Sequence, residues 1–292
     1  MSERATKRRF AVALLLAPAA IFLLVFLVIP MFGLLRSSFY PGTQPFGGAG
    51  FSFVHYAKFL SDGYYLNVLA ETLGFGLVSA FVSLLVGFPV GYSLARLPPH
   101  KRRWRLIAVI LPLTLSLVVV VFGWLVVLGR NGLLNSLMIG FGLIERPNQL
   151  LFNRTAVLVV LVQQFLPFMI LSVMSVVTQI NPVLEQAAAN LRANRFVTFR
   201  RVVLPLAMPG ILSGLTLVFI LTASAFITPR LIGGPRIQMV GSLIYQQVLT
   251  ILNWPFGAAM AFILLVITLS VTWLAHAVLS VRLGSKKDGH AH

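Results

Sequence analysis

Long apolar runs separated by short basic clusters set the pattern of this chain. Six stretches carry no charged residue: Phe10–Leu35, Thr72–Ala95, Leu106–Gly129, Thr155–Leu184, Val202–Pro229 and Ile237–Val281. Each exceeds the roughly 20 residues with which a helix crosses the hydrocarbon core. The pattern predicts an all-α polytopic membrane protein, with spans near 10–35, 66–96, 104–128, 155–178, 205–228 and 256–281. Arg4, Lys7, Arg8 and Arg9 precede the first run, as they would in a signal peptide. A cleavable apolar region has only about 7–15 residues, so the run over 10–35 reads as an uncleaved anchor, followed by a core over 66–281. The whole chain, 1–292, reads as a single transmembrane domain, because none of the outer segments 36–65, 129–154 and 229–255 is long enough to fold alone.

Composition agrees with the spans. Hydrophobic residues make up 58% of the chain, charged residues 10%, and the mean hydropathy is +0.94. A water-facing surface usually needs about 25% charge. The net charge of +17 does not point to nucleic acid, because no aromatic-plus-basic binding module accompanies it. The basic residues lie mostly between spans, where they orient the chain and meet anionic lipid. Cysteine is absent, which excludes disulfides, thiol catalysis and cysteine metal sites. The five histidines show no metal-ligand spacing before the His290–Ala291–His292 tail.

Sidedness follows from the Lys and Arg distribution. Sixteen of the 23 fall in the N-terminus, the segments around 96–105 and 192–201, and the C-terminus. The other seven are Arg36, Lys58, Arg130, Arg146, Arg154, Arg230 and Arg236. The richer side is cytoplasmic, which puts both termini inside, as an even number of spans requires.

The inner segment 181–204 differs from the other loops. Asn181 can cap a helix with Pro182 in its first turn. Leu184, Ala187, Ala188 and Leu191 then form an apolar stripe at helical spacing, and Glu185 lies where a helix dipole favours an acid. A second pattern of Phe196, Phe199, Val202 and Val203 begins after Asn194. The reading is two short amphipathic helices lying across the inner face, which either pack on the membrane surface or dock a soluble partner.

The run Glu185-Gln186-Ala187-Ala188-Ala189-Asn190-Leu191-Arg192-Ala193-Asn194, with Phe199, Val202, Leu204-Pro205-Leu206 and Pro209-Gly210-Ile211, resembles the EAA loop of permease subunits in binding-protein-dependent ABC importers. Three further motifs are similar to spermidine/putrescine-type permeases: Trp124 with Leu128–Asn135, Phe226–Pro229 with Leu231–Pro235, and Asn253–Ala259. The resemblance implies a type I ABC importer transmembrane domain with its coupling loop at 181–204. Glu185, Gln186, Ala187, Ala188, Leu191, Arg192, Ala193, Asn194 and Phe199 would meet the ATPase. It also implies a second homologous permease, two cytoplasmic ABC ATPases that bind ATP and Mg, a periplasmic or extracellular solute-binding protein, and an inner-membrane location. The solute would be a polyamine or a related amino compound. Aminoethylphosphonate, γ-aminobutyrate and opines are the alternatives within the class. The family usually has Gly where this chain has Arg192, so the turn is expected to shift towards or lean on Asn194, or else Arg192 stays helical and contacts the ATPase or a lipid phosphate.

Polar residues inside spans are the candidates for the solute path: Gln163 and Gln164, Thr222 and Ser224, with Ser79, Ser83 and Thr216 less prominent. The Gln pair either faces the path or bonds to the partner permease. Glu71 falls at the outer interface, where it could receive a cation, cap a helix or pair with an outer Arg. Small residues four apart, Gly87/Gly91 and Gly210/Gly214, permit close helix contact, and Pro89, Pro112 and Pro167 can kink spans. The chain has no phosphate-cradling Gly-x-x-x-x-Gly-Lys-Ser/Thr loop and only six scattered acids, so it is not read as a catalyst. A secondary transporter or channel would need mid-membrane ionisable residues or paired broken helices, and no charged residue lies deep in a span.

Overall fold

The computed structural model describes residues 17–19, 21–44 and 50–284, with side chains as far as Ala277. The basic clusters at 4–9 and 286–287, and residues 10–16 of the expected first span, lie outside the described residues. Eleven helices are labelled here in chain order: α1 Ala17–Ser37, α2 Val54–Ser61, α3 Gly63–Arg96, α4 Pro99–Thr114, α5 Leu117–Leu128, α6 Leu133–Gly140, α7 Arg154–Gln179, α8 Val183–Asn190, α9 Arg195–Ala223, α10 Val240–Tyr245 and α11 Trp254–Gly284. No strand occurs among the described residues. Among the described residues, six helical stretches are long and apolar enough to cross a membrane.

The contacts group into two compact units. The first takes residues 1–63 and 244–263. In it the loop after α1 is ordered by aromatic packing. The Phe39 ring stacks on Phe51 at 4.5 Å and on Tyr56 at 5.2 Å, and the Tyr56 hydroxyl meets Ser38 Oγ at 2.7 Å. Phe59 and Phe256 are fully buried. The Lys58 ammonium lies 4.8 Å from the centre of the Phe256 ring, within cation–π range.

The second unit takes residues 64–243 and 264–292. Its core is built where α3, α7 and α9 pack, from Phe75, Phe88, Met169, Val173, Val218 and Phe219 among others. Two glycines set the closeness. A Cβ on Gly91 would stand 2.8 Å from the Ile170 carbonyl oxygen, and one on Gly210 would stand 2.8 Å from the Ser172 carbonyl oxygen. No side chain fits against backbone at that distance, so the small residues four apart act as helix contacts.

Two expected spans need correction. The span expected over 104–128 is broken: α4 ends at Thr114, Leu115 and Ser116 are extended with ψ of 146° and 133°, and α5 begins at Leu117. Pro112 removes an amide from the last turn of α4 and helps end it. The apolar run is unbroken from Leu106 to Gly129, so hydropathy cannot register the break. Helices α3 and α7 run on through Pro89 and Pro167. The span expected over 205–228 ends at Ala223, and Pro229–Gly233 forms a separate π-helical turn. At its other end it starts early. The second of the two short helices expected in the inner loop is not separate, because residues from Arg195 run through a π-helical segment, Phe199–Val203, into the span.

Candidate functional site

The loop over 181–204 holds one free-standing helix, α8. The Asn181 side chain accepts the Val183 amide at 3.0 Å and starts it. A paired turn ends it: the Arg192 amide donates to Ala189 O at 2.9 Å and the Ala193 amide to Ala188 O at 3.0 Å. This is the two-bond helix stop that requires a left-handed residue, and Arg192 supplies it with φ of +58°. The expected shift of the turn towards Asn194 is therefore overturned, as is a helical Arg192. Asn194 has φ of −71° and serves the next element, accepting the Val197 amide at 2.7 Å as the N-cap of α9. A left-handed L-residue costs about 1–2 kcal/mol.

No residue of α8 is buried. Gln186, Ala187 and Arg192 are exposed, Leu191 is 84% exposed, and Phe196 just beyond is 68% exposed. Ala188 and Ala193 are half-buried. Two residues of the motif turn the other way. Phe199 is half-buried and meets Phe88 of α3 edge-on at 5.4 Å. The Glu185 carboxylate forms an ion pair with Arg96 at the end of α3 and accepts the Tyr92 hydroxyl at 2.6 Å. The second guanidinium arm of Arg96 donates to the Ile180 carbonyl, just past α7, at 3.0 Å. The Arg96 and Glu185 side chains are 20% and 21% exposed.

The candidate path residues separate into distinct groups. Gln163 and Gln164 point to two different partners in this chain: the Trp124 indole donates to Gln163 Oε1 at 3.0 Å, and Thr228 donates to Gln164 Oε1 at 2.9 Å. Bonding to a partner permease is not needed to explain the pair. An indole N–H only donates, so the Gln163 amide must present its oxygen to Trp124 and leaves its NH2 for another acceptor. Thr222, Ser79 and Ser83 are fully buried, with hydroxyls that meet no partner among the described residues. Ser224 is exposed and bonds back to Ile220 O at 2.9 Å. Glu71 forms an ion pair with Arg154, the first residue of α7. Beside them is a cavity of about 270 Å³, lined by Phe75, Val78, Thr155 and Leu158 as well as the pair itself.

The family description "Binding-protein-dependent transport system inner membrane component" matches residues 87–280, which include all of this inner-loop geometry. The chain belongs to that family. It is 32% identical over 241 residues to the "Spermidine/putrescine transport system permease protein PotB" of Salmonella typhimurium, covering 82% of this chain and 84% of that one. It is 34% identical over 221 residues to the "Inner membrane ABC transporter permease protein YdcU" of Escherichia coli, covering 72% and 70%. Among solved structures, a bacterial ABC transporter involved in import of the acidic polysaccharide alginate matches at TM-score 0.68 and 19% identity, over 94% of this chain and 96% of that one. That likeness speaks for the fold. The protein is thus an inner-membrane permease of an ABC importer, and its family is one of transport rather than catalysis.

Arg96, Tyr92, Trp124 and Thr228 hold the site residues in place, although the sequence pattern marks Arg96 only as a topological charge and Trp124 and Thr228 only as parts of motifs. Tyr92 and Arg96 stand four apart on one helix and so share a face, which is a local signal. Nothing local connects that face to Glu185.

Proposed function

We propose that this chain is one of two related permeases that together enclose the path of a polyamine importer, as a single permease domain over 1–292 with both termini cytoplasmic. Two separate cytoplasmic ATPases bind ATP and Mg and drive it, and an external binding protein delivers the solute. The exposed helix α8, with Leu191 and Arg192 at its tip, is the observation that carries the reading. A helix that buries nothing in its own chain has its apolar side chains available for a partner. In this reading Gln186, Ala187, Ala188, Leu191, Arg192, Ala193 and Asn194 meet the ATPase, while Glu185 and Phe199 carry its motion to the spans. The polyamine assignment draws on the spermidine/putrescine permeases at 32–33% identity. Vesicles holding the full importer test it: they are expected to take up spermidine or putrescine when ATP and binding protein are supplied. Uptake without the ATPases would overturn it.

A second reading, import of an amino compound that also carries an acidic group, is favoured by the Gln163 NH2. Its donors are not used by Trp124, no charged residue lies deep in a span, and the segments read as outer hold seven basic residues against Asp62, Glu71 and Glu145. Competition of spermidine uptake by aminoethylphosphonate or γ-aminobutyrate, lost in Gln163→Leu, would decide for it.

A further inference from the structure

We infer that Arg96, with Tyr92, is the joint through which the inner loop moves the second and fourth spans. The inference rests on the proposed function and adds the route by which motion leaves α8. The fifth span is joined to the loop by unbroken helix, since α9 runs from Arg195 to Ala223. Helices α3 and α7 have no such stiff covalent link to α8. The guanidinium supplies one.

Three elements converge on it. One arm pairs with Glu185 in the first turn of α8. The other holds the carbonyl of Ile180, which closes α7. The group stands on the last residue of α3, where a cation also complements the negative end of the helix. Tyr92, one turn back on α3, donates to the second oxygen of Glu185 and lies with its ring 5.8 Å from the guanidinium carbon. Both carboxylate oxygens are thereby fixed from α3, so Glu185 cannot swing without taking α3 along. A guanidinium is a rigid planar fork, which suits it to transmit displacement as well as attraction. Burial of α8 offers no competing anchorage, because none of its residues is buried. Arg96 and Tyr92 are positioning residues here, because they touch neither solute nor nucleotide.

The test uses the full importer in liposomes and reads solute moved per ATP hydrolysed. Arg96→Gln and Glu185→Gln are each expected to lower that ratio about tenfold, the weight of a charged hydrogen bond, while ATPase subunits still co-purify and hydrolyse ATP. The double variant is expected to fall no further, since either change opens the same joint. Arg96→Lys keeps the charge but not the fork, and is also expected to lower the ratio. Tyr92→Phe removes one hydroxyl and tests the joint where the Arg96 variants fail to assemble; a smaller drop, about threefold, is expected. The inference is overturned if the two single losses multiply in the double variant. It is also overturned if uptake and hydrolysis fall in proportion, if Arg96→Lys keeps the wild-type ratio, or if Tyr92→Phe does. A wild-type importer that takes up no solute would instead defeat the proposed function and leave these ratios undefined.

Discussion

Helix α3 carries an Arg–carboxylate pair near each end, and the two pairs differ in almost everything except their chemistry. Towards its start Glu71 meets Arg154, whose side chain is 74% exposed. At its last residue Arg96 meets Glu185, with both side chains about one-fifth exposed, and Tyr92 and the Ile180 carbonyl complete the cluster. An exposed pair holds two long side chains in one geometry for little return, typically about 0–1 kcal/mol. A half-buried pair that also draws in a hydroxyl and a carbonyl is worth more, and breaking it strands a charge. The same two residue types therefore make a surface contact at one end and a structural junction at the other. Neighbours decide which.

The comparison can be broken by mutation. The largest effect is expected from Arg96→Ala, which leaves the Glu185 carboxylate without its counter-charge and the Ile180 carbonyl without its donor. Thermal unfolding of the purified importer should show a loss of about 2 kcal/mol or more, and a loss equal to that of Arg154→Ala would erase the distinction between the ends. Next comes Arg192→Gly, which relieves the left-handed residue that closes α8 and should stabilise the loop by about 1 kcal/mol. Protease resistance at 181–204 measures it, and weaker resistance would mean that the Arg192 side chain holds the loop more than its backbone strains it. The smallest effect belongs to Glu71→Gln. Unfolding should shift by less than about 1 kcal/mol, and the shift should shrink further as salt rises. A salt-insensitive loss would place the Glu71–Arg154 pair in the same class as the Arg96–Glu185 pair.

Much of this architecture was legible in advance because it is written in long runs of one residue class. Charge-free stretches announced the spans, and the EAA-like run announced a loop that carries a short helix. What escaped notice depends on pairs far apart in the chain or on backbone geometry. Glu185 looked like a docking residue because its helix position explained an acid there, and Arg96 looked like one more topological charge. Their meeting is set by how α3 and α7 pack through Gly91 and the Ile170 backbone, which no local periodicity reports. Arg192 was misjudged for a different reason. Propensity argues against a left-handed Arg, but the two hydrogen bonds to Ala188 and Ala189 compensate. The Gln pair, too, found two separate neighbours that were invisible to a window of residues.

The gap between α4 and α5 bears on how this protein lives in a bilayer. The break stands directly before 117–140, the stretch long and apolar enough to cross a membrane, so α4 joins that span at its end. There the last carbonyls of α4 and the first amides of α5 have no helical mate, and fatty chains can offer none. Each bare group would cost several kcal/mol in contact with lipid alone. Lipid alone is thus a poor neighbour for the notch, and company that shelters it, whether protein or a thread of water, relieves the debt.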